Sequence, residues 1–297
     1  MTGWRPGWRP GWREAAILLP LVWLGLFFLA PFLIVLKISL AESILAQPPY
    51  SPLLVWPEGG GWPALGARLD NYLVVLQDDL YLRSLLNALR IAAVSTVVML
   101  VIAYPMAYAM ARAPRNWRPA LLLAVILPFW TSFLIRVYAW IGILKDEGFL
   151  NHALMSLGLI DSPLVILNTD WAVHIGIVYS YLPFMILPLY ATLERLDLTL
   201  LEAAADLGAP PWKGFLQVTL PMSLPGIVAG SLLVFIPAVG EFVIPDLLGG
   251  SDTIMIGKIV WIEFFQNADW PLASAIAVTM LVVLVMPLVI LRRGLQA

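Results

Sequence analysis

The sequence predicts an all-α integral membrane protein with six transmembrane helices. Of its 297 residues, 61% are hydrophobic and only 12% are charged, whereas soluble domains carry about 45–50% apolar and 25% charged residues. A helix needs about 20 apolar residues to cross the hydrocarbon core, and lipid offers no partner for unpaired backbone groups. The stretches that meet this length are 15–40, 86–111, 120–144, 171–193, 226–248 and 271–291.

The basic residues predict that both termini are cytoplasmic. With a cytoplasmic N-terminus, ten of the 17 Lys and Arg residues lie inside and four outside, and three fall in or beside spans. Basic residues are enriched in cytoplasmic loops. We expect residues 1–14, a Trp-Arg-Pro-Gly repeat, to form a non-helical basic tail, and residues 15–297 to form the membrane domain. The first apolar stretch exceeds the 7–15 residues of a signal peptide core, so we expect a retained span.

Composition also excludes several classes of function. The net charge of −2 gives no support for nucleic-acid binding. The absence of Cys excludes disulfides and thiolate metal sites. The imidazole ligands His152 and His174 are too few and too far apart for a convincing metal site, so we predict none.

The sequence also lacks an ATP-hydrolysing motif. The nearest fragment to a Walker A loop surrounds Lys258, but position 252 is Asp rather than Gly and position 259 is Ile rather than Ser or Thr. We therefore expect a protein that is not an enzyme. An intramembrane enzyme that uses Glu241 or Asp246 is the weaker alternative.

The loops between the spans differ in character. We expect outer segments at 41–83, 145–170 and 249–270, with a helical stretch starting at Asp70. Residues 112–119 form a tight, basic inner turn. Residues 194–224 form the only large inner loop, which is the natural contact surface for a cytoplasmic partner.

This inner loop predicts two short helices joined by a tight turn. Thr199 and Glu202 fit a capping box that precedes three alanines. Gly208 suits a left-handed C-terminal cap, and Pro211 suits the first position of a second helix. Pro221 and Pro225 are expected to end that helix before the fifth span. These residues alone allow a hairpin that packs under its own bundle or a docking site for another protein.

The spacing in this loop resembles that of a known family. Glu-Ala-Ala at 202–204, Gly at 208 and Val-x-Leu-Pro at 218–221 are similar to the EAA loop of ABC importer permeases, which has Ile in place of the Val. In that family the loop is a coupling helix that docks on an ATPase subunit. The resemblance and the nearby apolar side chains imply a contact surface of Glu202, Ala203, Ala204, Gly208, Trp212 and Phe215.

The resemblance covers nearly the whole chain after residue 70. Segments 127–145, 234–250 and 269–278 are similar to polyamine importers, most of all the putrescine type. This implies a type I ABC importer permease of the bacterial inner membrane that works by alternating access. It also implies a second permease, two ATPase subunits that bind ATP and Mg, and a periplasmic polyamine-binding protein, with no cofactor in this chain. The alternatives are a permease for an amino acid or anion, or a secondary transporter.

Ionisable residues within spans are costly and usually face a cavity or a partner. Arg136 and Glu241 are predicted to lie at similar depth, about 6 Å beyond the midplane of continuous helices. They form an ion pair, or Glu241 contacts a cationic substrate. Asp246 is either a second substrate carboxylate or an ordinary interfacial one. Aromatic side chains could line the path by cation–π contacts or simply pack; the candidates are Trp130, Tyr138 and Tyr181.

Overall fold

The computed structural model describes residues 10–55 and 64–294, and nearly all regular structure in this part is helical. Two strands, Leu54–Val55 and Ala64–Leu65, pair antiparallel with Leu54 opposite Leu65. The α-helices are α1 (Pro10–Leu24), α2 (Ala30–Ser39), α3 (Asp70–Gln77), α4 (Asp79–Arg112), α5 (Arg118–Ile126), α6 (Phe133–Leu144), α7 (Phe149–Ser156), α8 (Asp170–Leu193), α9 (Thr199–Asp206), α10 (Pro211–Gly214), α11 (Leu220–Val239), α12 (Val243–Leu248), α13 (Ile256–Trp261) and α14 (Trp270–Gly294).

The described helices supply the six predicted spans if one broken span is included. Five are long and apolar enough to cross a membrane: Ala16–Ser39, Asp79–Arg112, Asp170–Leu193, Pro211–Val239 and Trp270–Pro287. The sixth consists of two helical pieces, Arg118–Trp130 and Phe133–Ser156, which meet at an angle of 87°. The all-α membrane architecture is therefore confirmed.

The predicted third span, 120–144, is broken rather than continuous. After α5, the chain tightens into a 3₁₀ turn, Leu127–Trp130, and leaves the helix at Thr131, where ψ is 150°. Pro128 lies in this turn and has no N–H to continue the ladder. The N–H and the hydroxyl of Thr131 both donate to the carbonyl of Pro128, so the backbone groups at the break have partners.

The first helix begins earlier than predicted. It starts at Pro10, inside the segment that was expected to be non-helical. Proline suits the first position of a helix, where its missing N–H is not needed. The repeat at residues 1–9 lies outside the described residues, and the assignment of 15–297 to one membrane domain stays a prediction.

The chain divides into two compact units, one made of residues up to 79 and from 260 onwards, the other of residues 80–259. In the first unit, α14 packs against α2 and α3. The Asn71 side-chain amide donates to the carbonyls of Ser39 and Ala41, and the hydroxyls of Ser39 and Tyr72 lie 2.6 Å apart. These bonds fix the end of α2 against α3.

The second unit is built on the pairing of α8 with α11. Gly226 and Gly230 lie one turn apart on α11 and allow close approach of the two backbones, as small residues do between membrane helices. A Cβ at Gly226 would come within 2.9 Å of the Pro188 carbonyl oxygen, and one at Gly230 within 2.9 Å of the Met185 sulfur. This contact positions the end of α11, where Glu241 follows.

Candidate functional site

The first candidate surface surrounds the turn between α9 and α10. Gly208 has a φ of 80°. Its N–H bonds the carbonyl of Ala205 at 2.8 Å, and the N–H of Ala209 bonds that of Ala204 at 3.0 Å. This is the left-handed cap expected of glycine at a helix C-terminus. Pro211 opens the next helix, so the tight turn is confirmed.

The predicted capping box is wrong. Thr199 is the first residue of α9, not its cap, and the residue before it, Leu198, makes no side-chain capping bond. Instead, Asp197 accepts a hydrogen bond from the N–H of Thr199 at 3.0 Å. A short acidic side chain commonly bonds the backbone two residues on, and here it replaces the threonine hydroxyl.

The predicted end of the second helix is also wrong. Helical structure runs without interruption from Pro211 to Val239, over 29 residues. A π-helical turn, Phe215–Thr219, lies within it, and the N–H of Leu220 bonds the carbonyl of Phe215. Pro221 follows in the first turn of α11, where a missing N–H is tolerated, so it does not stop the helix.

The predicted contact residues divide into a packed and an exposed set. Phe215 packs edge-on against Tyr104 and Tyr108 of α4, at ring distances of 5.6 and 6.4 Å, so it supports the segment from inside. Trp212 is 60% exposed. The other exposed members are Glu202, Ala203 and Gly208, whereas Ala204 is half-buried.

Leu207 was missed by sequence reasoning and is the most exposed apolar side chain of this surface, at 89%. It lies four residues after Ala203 and directly before Gly208. An apolar residue directly after the short helix and before the capping glycine was the signal in the sequence that could have identified it.

The second candidate site is a cavity of about 510 Å³ at the break after α11. Glu241 lies in this break, between α11 and α12, rather than inside a continuous span as predicted. It is 8% exposed. The lining residues used below are Phe129, Phe133, Arg136, Tyr181, Phe184 and Glu241.

The Glu241 carboxylate is held by neutral donors. The Tyr181 hydroxyl donates to Oε2 at 2.5 Å, and the N–H groups of Val243 and Ile244 donate to Oε1 at 3.0 and 3.3 Å. These bonds stabilise the carboxylate without cancelling its charge. The residue therefore orients the start of α12 and also presents a negative group to the cavity.

The predicted ion pair between Arg136 and Glu241 does not form in this structure. The Arg136 guanidinium lies 5.2 Å from the ring centre of Phe129 and 5.9 Å from that of Phe133. Its Nε is buried and has no hydrogen-bond partner. Because the third and fifth spans are both broken, the depth calculated for continuous helices does not predict this geometry.

The other predicted path residues do not join the cavity. Asp246 forms an ion pair with Lys258 at 3.0 Å, which favours a structural role for this carboxylate. Trp130 and Tyr138 are exposed and are not among the lining residues. Of the predicted aromatic residues, Tyr181 alone lines the cavity with Glu241.

A polar network at the start of α8 was not predicted. Asp170 forms an ion pair with Arg90 of α4, and its other oxygen accepts a hydrogen bond from Thr253 at 2.6 Å. Asn87 donates to the carbonyl of Ile254 at 3.1 Å. The network joins α4, α8 and the segment after α12. The sequence offered one indication of this network, since Arg90 is an ionisable residue at the edge of a predicted span.

The arrangement of membrane helices defines a class of fold, that of ABC transporters. A solved bacterial alginate ABC transporter, in complex with its alginate-bound periplasmic protein, shares the fold with a TM-score of 0.66 at 20% identity, covering 93% of this chain and 91% of that one.

The family follows from the sequence comparisons. Residues 12–296 match the family described as "binding-protein-dependent transport system inner membrane component", and the chain belongs to this family. It is 45% identical over 226 residues to the spermidine/putrescine transport system permease protein PotB of Salmonella typhimurium, covering 76% of this chain and 78% of that protein. It is 40% identical over 262 residues to PotB of Haemophilus influenzae, covering 88% and 86%.

Proposed function

We propose that this protein is the permease subunit of an ATP-driven polyamine importer. The observation that supports it most is the identity of 40–45% to permeases named for spermidine and putrescine, over most of the chain. In this assignment the chain forms half of the translocation path and binds neither ATP nor a metal itself.

The proposed assembly contains a second permease, two ATPase subunits and a periplasmic polyamine-binding protein. Both termini and the α9–α10 turn face the cytoplasm, as the distribution of basic residues predicts. The exposed side chains of Glu202, Leu207 and Trp212 support this turn as the contact for the ATPase. ATP and Mg are bound by that partner.

The cavity at Glu241 is the proposed contact for the cargo. A polyamine carries several ammonium groups, and a carboxylate held by neutral donors attracts them by charge. Aromatic rings add cation–π contacts with such ligands, and Phe184 and Tyr181 stand beside Glu241 in the lining. Arg136 is held over two phenylalanine rings rather than on the carboxylate, which leaves Glu241 available.

The test is ATP-dependent uptake of labelled putrescine and spermidine by vesicles that contain the full complex. Glu241→Gln keeps an oxygen for the backbone donors but removes the charge, so the complex should assemble while uptake falls about tenfold, the order expected for one charge-assisted contact. Asp252→Asn, a change at an exposed carboxylate of the same unit, should leave uptake unchanged.

The double variant separates the two roles of the charge. If Arg136→Gln restores uptake to Glu241→Gln, the two groups pair in another state of the cycle and the contact with cargo is wrong. Full uptake by assembled Glu241→Gln would also exclude the carboxylate from the path.

A permease for an amino acid or an anion is the second candidate. The buried, unpaired Nε of Arg136 in the same cavity favours it, because such a group suits a carboxylate ligand. A competition experiment distinguishes the two candidates. If the cargo is a polyamine, an excess of amino acid or anion should not reduce polyamine uptake. Uptake without ATP would instead indicate a secondary transporter.

A further inference from the structure

The segment after α11 leaves the membrane helix at Gly240 and later returns to the same point. A Cβ added at Gly257 of α13 would come within 2.4 Å of the Gly240 carbonyl oxygen and within 2.7 Å of the Glu241 carbonyl oxygen. Without a Cβ, glycine allows two backbones to approach this closely. Residues 240–257 therefore form a closed loop, which we call the return loop, and Glu241 stands where its two ends meet.

The return loop determines where the Glu241 carboxylate points. Its oxygen Oε1 accepts hydrogen bonds from the first two N–H groups of α12, and an ion pair of 3.0 Å between Asp246 and Lys258 joins α12 to α13. Helix α12 has only six residues, and so short a helix has little stability of its own. The direction of α12, and with it the direction of the carboxylate, therefore depends on what holds this helix.

Helix α12 is held against α8 along its length. The N–H of Asn168, just before α8, donates to the carbonyl of Leu248 at 2.9 Å. A Cβ at Gly250 would come within 2.4 Å of the Asn168 carbonyl oxygen, so the two backbones are in contact there. Ile244 and Leu248 are fully buried, and a Cβ at Gly176 of α8 would come within 2.8 Å of both side chains.

Two side-chain hydrogen bonds fasten the tip of the return loop. The hydroxyl of Thr253, a residue that is 3% exposed, donates to Oδ1 of Asp170 at 2.6 Å. The Asn87 amide donates to the carbonyl of Ile254 at 3.1 Å. A hydroxyl bonded to a carboxylate forms a charge-assisted bond, which is about twice as strong as a neutral one. Arg90 supports both partners, because it forms an ion pair with Asp170 and donates to Asn87 at 3.0 Å.

We propose that Thr253 and Asp170 are positioning residues for transport: their hydrogen bond fixes the tip of the return loop, and the loop holds the Glu241 carboxylate in the cavity. This inference rests on the proposed contact between Glu241 and the cargo. Neither Thr253 nor Asp170 lines the cavity, so the hydrogen bond acts on uptake through Glu241. A displacement of about 1 Å at a binding group is enough to lose much of its effect.

The first experiment compares ATP-dependent uptake of labelled putrescine by vesicles that contain the full complex. Thr253→Val keeps the shape of the side chain and removes the hydroxyl, so the complex should assemble while uptake falls several-fold. Thr253→Ser keeps the hydroxyl and should retain most of the uptake. Asp252→Asn, at the exposed neighbour of Thr253, should leave uptake unchanged.

A double variant shows whether Thr253 acts through Glu241. The effects of residues that serve one contact are not additive in free energy, whereas those of independent residues add. Thr253→Val should therefore cause no further loss of uptake when Glu241 is already replaced by Gln. If Thr253→Val prevents assembly, Asn87→Leu, which removes the bond to Ile254, provides the same comparison.

The second experiment follows the loop tip without transport, in the purified, full-length protein. The protein has no cysteine, so Ser251→Cys places a single thiol for a nitroxide label at an exposed position of the return loop. Thr253→Val should increase the mobility of this label in its electron paramagnetic resonance spectrum, and Thr253→Ser should not. A label at Ser156→Cys, exposed at the end of α7, should have the same spectrum in all three backgrounds.

Three results would overturn the proposal. Losses that multiply in the double variant would show that Thr253 does not act through Glu241. Equal uptake by Thr253→Val and Thr253→Ser would show that the hydroxyl plays no part. An unchanged label spectrum in Thr253→Val would show that this bond does not hold the loop tip. Full uptake by Glu241→Gln would contradict the cargo contact as well, whereas multiplied losses leave that contact intact, so the two failures are distinct.

Discussion

At the scale of the residue, single side chains link the ends of neighbouring helices by hydrogen bonds. Arg118 bridges the end of α4 to the first residue after α8 through its two bonds, at 2.9 and 3.0 Å. The pKa of the Glu194 carboxyl lies below its ordinary value, first because the Tyr190 hydroxyl donates a hydrogen bond to it and then because of Arg118. Both effects favour the ionised form of Glu194 in the folded protein.

This pKa shift predicts a pH dependence of stability. A depressed folded pKa contributes stability above the unfolded pKa, and this contribution is lost as the pH falls through the folded value. The wild type should therefore unfold at a higher temperature than Glu194→Gln at pH 7, and the difference should shrink as the pH falls below about 4.5. Thermal unfolding in detergent measures it.

Glu147→Gln is the matched control. Glu147 is exposed, and no ion pair between described residues includes it. Its substitution should leave the unfolding temperature unchanged at each pH. A constant difference between wild type and Glu194→Gln from pH 7 to pH 3.5 would contradict the proposed linkage.

The residues of the cavity could be found from the sequence, but their contacts could not. Glu241 and Arg136 were identified because charge within an apolar stretch is costly. Their separation depends on where two helices break, at Thr131 and at Gly240. Apolar length locates a span but does not reveal such a break, so the sequence allows the ion pair as one alternative and does not indicate the bond to Tyr181.

At the scale of the element, α11 depends on glycine where it meets α8. A side chain at Gly226 would meet the Thr192 hydroxyl at 2.6 Å and the Pro188 carbonyl at 2.9 Å. The Pro188 carbonyl belongs to the backbone of α8, and the Thr192 hydroxyl donates to that same carbonyl at 2.9 Å, so neither group moves at low cost. The pair of helices that positions Glu241 therefore accommodates a Cβ at this point only if the backbones move apart.

Gly226→Ala should destabilise the protein by about 1–3 kcal/mol, the usual cost of overpacking. Gly142→Ala is the matched control, because a Cβ there meets nothing within 4 Å and alanine favours the helix. Unfolding in denaturant should show a loss for the first variant and no loss for the second. Equal stability of the two variants would mean that the helices separate without cost.

The coupling segment shows where local rules succeed and where they fail. The turn at Gly208 and Pro211 follows from properties of the single residues. Glycine adopts a positive φ without a steric penalty, and proline has a fixed φ and no N–H donor. The cap at Asp197 and the continuation of the helix through Pro221 depend instead on the neighbouring residues, and a single residue type does not predict them. A π-helical turn at Phe215–Thr219 has no signature in these residues that would have predicted it.

At the scale of the whole molecule, the proposed role of this chain is to transmit to the cavity a movement driven by separate ATPase subunits. Its exposed turn at Gly208 and its cavity at Glu241 lie at opposite ends of one helical segment, residues 211–239. The exposed turn has open space around it, since a Cβ at Gly208 meets nothing within 4 Å.

Gly208→Glu should leave membrane insertion intact and reduce ATPase association and coupled uptake several-fold. The new side chain stands on the proposed contact surface, and its backbone strain costs only about 1–2 kcal/mol. Gly158→Glu is the matched control, because Gly158 also has positive φ, 66°, and open surroundings, but follows α7. Normal association and uptake in the Gly208 variant would remove the docking assignment.

In the proposed mechanism, the unbroken helical segment from Pro211 to Val239 serves as a lever whose fulcrum is the glycine contact with α8. At 1.5 Å per residue, the arm from the fulcrum to Pro211 is about 25 Å long and the arm to Val239 about 16 Å. A tilt about the fulcrum moves the two ends in opposite directions, with the end near Glu241 travelling about two-thirds as far. A push by the proposed ATPase partner at Pro211 would thus move the end at the cavity in the opposite direction and by a smaller distance.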